Sequence, residues 1–235
     1  MFATDHPVDR SMIEQVLTQE RLITVGRLIP SIVHEINNPL QAIRGALTLA
    51  LDDIENPNEL REYIAISQQE IEHITRLLGQ VRLIYRTQND QSEIFPLSVL
   101  FRDAIDLTRE DAMRQKVRVH NLLPSNSPLV EAVYNHIYIA ILRTILAFID
   151  AIGAAGGGEL TFTAEDTPSQ LLISFMTRVP IFIQEPDLGS TVSKKMIDRF
   201  ELASSADLVA ANGGMMEFQL SDDSVSLCIE FPKAA

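Results

Sequence analysis

The sequence predicts an α + α/β chain: an antiparallel helical hairpin that forms a dimeric four-helix bundle, followed by an α/β sandwich. Three observations predict it. The N-terminal part carries apolar residues at helical spacing only, in two long runs separated by Asn56-Pro57-Asn58-Glu59. A polar linker, Arg86-Thr87-Gln88-Asn89-Asp90-Gln91-Ser92, then closes that part. Beyond it, helical and alternating patterns take turns to the C-terminus, as in a layered α/β domain. The division falls at residues 1–92 and 93–235.

The first nine or so residues read as a loose tail. From Asp9 or Ser11 a helical pattern runs to about Ile54, with Val25, Ile29, Ile32, Ile36, Leu40, Ile43, Leu47, Leu51 and Ile54 as its seam. Unbroken, such a helix is roughly 67 Å long at about 1.5 Å per residue. Asn56 or Asn58 is placed to cap the next helix. That helix steps through Leu60, Ile64, Ser67, Ile71, Ile74, Leu78, Val81 and Tyr85. Two helices with one narrow seam each cannot bury themselves alone, so two copies of the hairpin are expected to pair.

In the second part, Pro96 to about Lys116 reads as a helix with Leu100, Ala104, Ile105, Leu107 and Met113 on its apolar side. Val117 to Leu122 alternates as a strand, and Tyr134 to Ile152 is a strongly apolar, central helix. Gly156-Gly157-Gly158 reads as a hairpin turn into Glu159–Ala164, whose partner is Gln170–Thr177. A helix over about 194–211 stops at Asn212-Gly213-Gly214. Met215–Leu220 and Val225–Phe231 close the chain as a hairpin.

Composition narrows the function classes. Nineteen basic against 32 acidic residues leave a net charge of −13, which repels nucleic acids and anionic lipid surfaces. No run approaches 18 uninterrupted apolar residues, and the N-terminus lacks a basic stretch followed by an apolar core. The single Cys228 excludes an internal disulfide and fits a reducing, cytoplasmic setting. The few residues ahead of the first helix are too short for a sensing domain, so any signal is expected to arrive through partners.

One residue stands out on the first helix. His34 lies two positions from both Ile32 and Ile36, so at about 100° per residue it points away from the seam. Asn38 and Gln41 follow on the same outward face. An imidazole is a good nucleophile near neutral pH, and beside a carboxylate (Glu35) and an amide it makes a phosphoryl-transfer site. The plain alternative is a solvated helix face, with Asn37-Asn38-Pro39 a helix breaker. His6, His73, His120 and His136 take that plain reading by default.

The longer string decides between them. Glu20-Arg21-Leu22-Ile23-Thr24-Val25-Gly26-Arg27-Leu28, followed by His34-Glu35-Ile36-Asn37-Asn38-Pro39-Leu40, closely resembles the phosphoacceptor helix of two-component sensor histidine kinases. The resemblance implies that His34 accepts the phosphoryl group. It also implies that Glu35 orients the imidazole or takes its proton, and that Asn38 positions a water for hydrolysis. Glu35 as a merely solvated carboxylate stays open.

From about residue 95 onward the chain resembles the family's ATP-binding domain in frame, with its motifs altered. Tyr138–Ala151 lines up with the N-box, whose two asparagines become Arg143 and Ala147. In the family the second asparagine holds Mg²⁺ on the ATP phosphates, and Ala147 has no oxygen to offer. At the adenine-reading glycine box stands Thr177-Arg178-Val179-Pro180-Ile181, with no carboxylate. At the second glycine box stand Arg199 and Glu201, whose side chains would block the approach of phosphates to backbone amides.

The expected function is therefore a phosphorelay protein, closest in kind to dimeric histidine phosphotransferases. His34 would exchange a phosphoryl group with receiver-domain aspartates of response regulators, without ATP. No cofactor of its own is expected, with Mg²⁺ supplied by the receiver. Neither nucleic acid nor membrane is an expected partner. Two alternatives share the frame: an ATP-dependent sensor kinase with a divergent pocket, and a non-catalytic dimeric adaptor for response regulators.

Overall fold

The computed structural model describes residues 10–85, 91–124, 129–167, 170–178, 202–220 and 224–232. Two compact units emerge: Val25–Tyr85 forms one, and the chain from Arg86 onward, together with the first helix up to Thr24, forms the other.

The helical unit is built on α1 (Arg10–Asp52) and α2 (Pro57–Tyr85). Pro30 and Pro39 both lie inside α1, which continues through them. The breaker reading of Asn37-Asn38-Pro39 therefore fails, although Pro39 still removes one backbone donor from the ladder. The connection is tight: Asp53 N–H donates to Leu49 O at 2.9 Å, and Asn56 N–H to Asp53 O at 2.9 Å. Asn56 is the residue that caps α2, its Oδ1 accepting from Asn58 N–H at 3.3 Å. Tyr63 adds a tie across the turn, donating to Asp53 Oδ2 at 3.1 Å.

Each helix carries two apolar stripes where the sequence suggests one. Val25, Leu28, Ile32, Pro39, Ala46 and Ala50 are buried on α1, and Leu77 and Ile84, beside the polar Ser67, on α2. Ile29, Leu40, Leu47, Leu51 and Ile54, assigned to the seam from periodicity, are exposed in the single chain. So are Ile64, Ile71 and Leu78. A seven-residue repeat lets neighbouring stripes share one helix, so spacing alone merges them.

In the other unit the described elements are β1 (Glu93–Pro96), α3 (Leu97–Arg114), β2 (Val117–Asn121), β3 (Leu129–Ala132) and α4 (Tyr134–Ala154). They continue as β4 (Gly158–Asp166), β5 (Gln170–Thr177), α5 (Ala203–Ala210), β6 (Met215–Leu220) and β7 (Val225–Pro232). A five-stranded sheet runs in the order β2-β4-β5-β7-β6, with β2 parallel to β4 and the other neighbours antiparallel. α4 packs against both α3 and α5, and all three helices touch the sheet. The core between the layers is aromatic: Phe162 and Phe175 meet edge to face at 5.1 Å, and Phe101 joins both at 5.5 Å. α4 is long and apolar enough to cross a membrane by composition, but most of it is buried inside this core.

Several expectations are corrected here. The antiparallel pair β1–β3 has no counterpart in the pattern reading, being only four residues per strand. Met113 is exposed, the buried side of α3 being Leu97, Leu100, Phe101, Ala104, Leu107, Thr108, Asp111 and Ala112. Gly156-Gly157-Gly158 is a helix-to-strand turn and not a hairpin turn. Gly156 and Gly157 have φ of 99° and 105°, and Gly157 N–H caps α4 by donating to Ile152 O at 3.0 Å. The stop at Asn212-Gly213-Gly214 forms as expected, with Gly213 at φ 75°. Of the helix placed over 194–211, the part before residue 202 lies outside the described residues.

Candidate functional site

His34 is carried by a stretch of α1 whose neighbours split cleanly by face. Ser31, Ile32 and Pro39 are buried, while Val33, His34, Asn37 and Asn38 are exposed and Glu35 is partly covered. The helical unit thus buries one side of this turn and presents the other. On the presented side, Asn38 Nδ2 lies 3.5 Å from His34 Nδ1, within weak hydrogen-bonding reach. Gln41 is exposed one turn further on.

The chemistry of this pair depends on the amide orientation. If the Asn38 NH₂ donates to Nδ1, the neutral ring carries its proton on Nε2 and has no outward lone pair. A half-turn of the amide places Oδ1 there instead. Nδ1–H then donates to it, and the Nε2 lone pair points outward. The geometry therefore brings the Asn38 amide within reach of His34 Nδ1, a contact that spacing alone does not reveal.

The other predicted positions belong to the α/β unit. Arg143 and Ala147 share one face of α4, one turn apart. Ala147 offers only a methyl group. Arg143 is almost fully buried, its Nε lying 2.7 Å from Glu20 Oε2, a carboxylate that is itself only 9% exposed. A guanidinium and a methyl group supply no oxygen ligand for a divalent cation, so these two positions do not fit a magnesium–nucleotide complex. Thr177 ends β5 fully buried, its hydroxyl without a hydrogen-bond partner among the described residues. Arg178 is exposed, and Val179, Pro180, Ile181, Arg199 and Glu201 lie outside the described residues. Among the described residues no group of His, Cys, Asp and Glu side chains could hold a metal ion.

Two residues escape the sequence reading. Glu20 is one; its signal is a carboxylate on the face of α1 that goes on to bury Thr24 and Leu28. His136 is the other. It is buried at the start of α4, where its Nδ1 lies 3.2 Å from Asn212 Nδ2, so the solvated reading does not hold for it. Asn212 also accepts from Val133 N–H at 2.7 Å and donates to Leu208 O at 2.8 Å, joining α5 to the start of α4.

Residues 24–90, which include His34, Glu35 and Asn38, match the His Kinase A (phospho-acceptor) domain. The chain is 26% identical over 183 residues to the signal transduction histidine-protein kinase AtoS of Escherichia coli K12, covering 77% of this chain and 28% of that protein. It is 20% identical over 161 residues to the sensor histidine kinase ZraS of the same strain, covering 68% and 34%. The chain thus spans about a third of the length of these curated relatives. The solved catalytic domain of histidine kinase ThkA has a TM-score of 0.51 at 18% identity, covering 61% of this chain and 96% of that one. ThkA in complex with the response regulator protein TrrA has a TM-score of 0.50 at 20% identity, covering 98% of this chain and 68% of that one. At such identities the structures speak for the fold: a helical region followed by an α/β domain like the kinase catalytic domain. Residues 24–90 are thus a His Kinase A (phospho-acceptor) domain, and the chain as a whole is similar to two-component histidine kinases.

Proposed function

We propose that this protein is a phosphorelay member of the family that exchanges a phosphoryl group between His34 and receiver-domain aspartates, without binding ATP. The observation that carries the reading is the face of α4, where Arg143 and Ala147 present no oxygen while His34 on α1 remains exposed. In the transfer, the Nε2 lone pair attacks the phosphorus of a receiver phosphoaspartate. The P–O bond breaks, and the donor carboxylate leaves with the electron pair. Asn38 Oδ1 holds the Nδ1 proton during the attack, and Glu35 is the nearby carboxylate able to receive it. Transfer of this kind is mostly positioning and charge neutralisation, and the receiver brings the Mg²⁺.

Response regulators are the proposed partners; the ThkA complex with TrrA supports that class. The exposed stripes of α1 and α2 support a second copy of this chain as the other partner. The likeness to the ThkA catalytic domain favours a second reading, an autokinase with a divergent pocket.

One experiment separates these readings. The protein is incubated with γ-labelled ATP and Mg²⁺ alone, and then with a labelled, phosphorylated receiver. Acid-labile label should appear only with the receiver and should vanish in His34→Ala. Label from ATP alone, or a saturable calorimetric isotherm for Mg²⁺–ATP, would establish the autokinase. Absence of label with every cognate receiver would leave an adaptor.

A further inference from the structure

We propose that Glu20 and Arg143 form a latch that fastens the leading segment of α1 to the α/β unit, giving that unit a second attachment to the helix that carries His34. Glu20 Oε2 and Arg143 Nε are 2.7 Å apart, and both side chains are about nine-tenths buried. One helical turn on, Thr24 is fully buried on the same face of α1, whereas Gln19, Leu22 and Ile23 are exposed. The segment is therefore held by one face.

Chain connectivity turns this contact into a device. α1 is one helix from Arg10 to Asp52, yet it changes membership between Thr24 and Val25, its first part belonging with the α/β unit. His34 lies on the same helix about 21 Å beyond Glu20, at about 1.5 Å per residue. With the latch closed, the α/β unit is joined to the hairpin twice, through α1 and through the stretch after Tyr85. With it open, only the second join remains.

A buried ion pair suits such a catch better than an apolar contact. Separating its members leaves two charges in a poorly hydrated site, so intermediate states are penalised and the contact behaves as closed or open. An apolar contact of the same volume holds comparably but yields gradually. The latch concerns how the α/β unit is held, and it stands or falls independently of phosphoryl exchange at His34.

Hydrogen–deuterium exchange of the full chain tests it. In Glu20→Gln and in Arg143→Gln, amides of residues 18–24 should exchange at least about tenfold faster. Those around Ile145 and Phe148 in the α4 core should keep wild-type protection. The reversed pair, Glu20→Arg with Arg143→Glu, should restore protection of residues 18–24. Wild-type protection in the single variants would overturn the latch. So would a reversed pair that exchanges as fast as either single variant. If a single substitution unfolds α4, the reversed pair decides alone: recovered protection supports the latch, and continued loss refutes it.

Discussion

At His34 the outcome turns on which atom of the Asn38 amide faces Nδ1, because that atom selects the nitrogen left free to attack. The family resemblance implies water positioning for Asn38, so transfer would survive its loss. The 3.5 Å approach of its amide to the ring adds the proposal that Asn38 also serves transfer. Asn38→Ala is therefore expected to slow single-turnover phosphoryl transfer by about fivefold, the equivalent of one hydrogen bond of roughly 1 kcal/mol. Asn38→Asp, which keeps an acceptor oxygen, should retain most of the rate. A rate for Asn38→Ala equal to wild type would return that residue to hydrolysis alone. Elsewhere, Tyr134 is pushed up to about 12, chiefly by burial and then by Asp103 and Glu93. Burial pushes Tyr138 up as well. Their folded values lie above the unfolded value of about 10, so the stability they contribute is complete below that pH and drains away as pH rises toward 12. A titration at 295 nm should show some of the four tyrosines ionising late, together with unfolding; simultaneous ionisation of all four in a folded chain would contradict this.

Among the elements, α1 and α2 differ from the rest in leaving large apolar side chains outside. Leu40, Leu47 and Leu51 are 48%, 50% and 73% exposed, and Ile64, Ile71 and Leu78 continue the outer stripe on α2. Burying a Leu or Ile is worth about 1.5–3 kcal/mol, so a second hairpin seated on these stripes gains strongly. Leu40→Glu or Leu47→Glu is expected to give a 26 kDa species by light scattering where wild type gives twice that mass. Neither substitution touches the inner stripe of Leu28, Ile32, Ala46 and Ala50, so helical circular dichroism should persist. A wild-type chain that scatters as 26 kDa at micromolar concentration would dismiss the pairing. α4 is the opposite case. Its apolar residues go all round because sheet and helices cover it on several sides.

The whole molecule divides into two compact units with separate cores, one a narrow helical seam and the other an aromatic layer. Two cores of different kinds unfold separately unless their contacts bind them into one cooperative block. Denaturant unfolding is therefore expected in two steps. The step belonging to residues 25–85 should move to higher denaturant as protein concentration rises, because association stabilises the associating unit by mass action. The α/β step should not move. A single concentration-independent transition would count against both the division and the pairing.

How much of this was legible in the sequence follows from how local each feature is. The helical hairpin, α3, β2, α4, β4, β5, β6 and β7 in their order, and the His34 string are carried by spacing and by contiguous motifs, and the sequence alone determines them. The β1–β3 pair joins segments some 36 positions apart with only four residues each, too few for a period to register. The two stripes of α1 share a seven-residue repeat, so only burial tells Leu28 and Ile32 from Leu40 and Leu47. The burial of Arg143 against Glu20, and of His136 beside Asn212, depends on residues far apart in the chain meeting in one place. Tertiary structure decides such things because a buried charge or imidazole is tolerable only where a partner arrives, and nothing in a residue's own neighbourhood says which partner that will be.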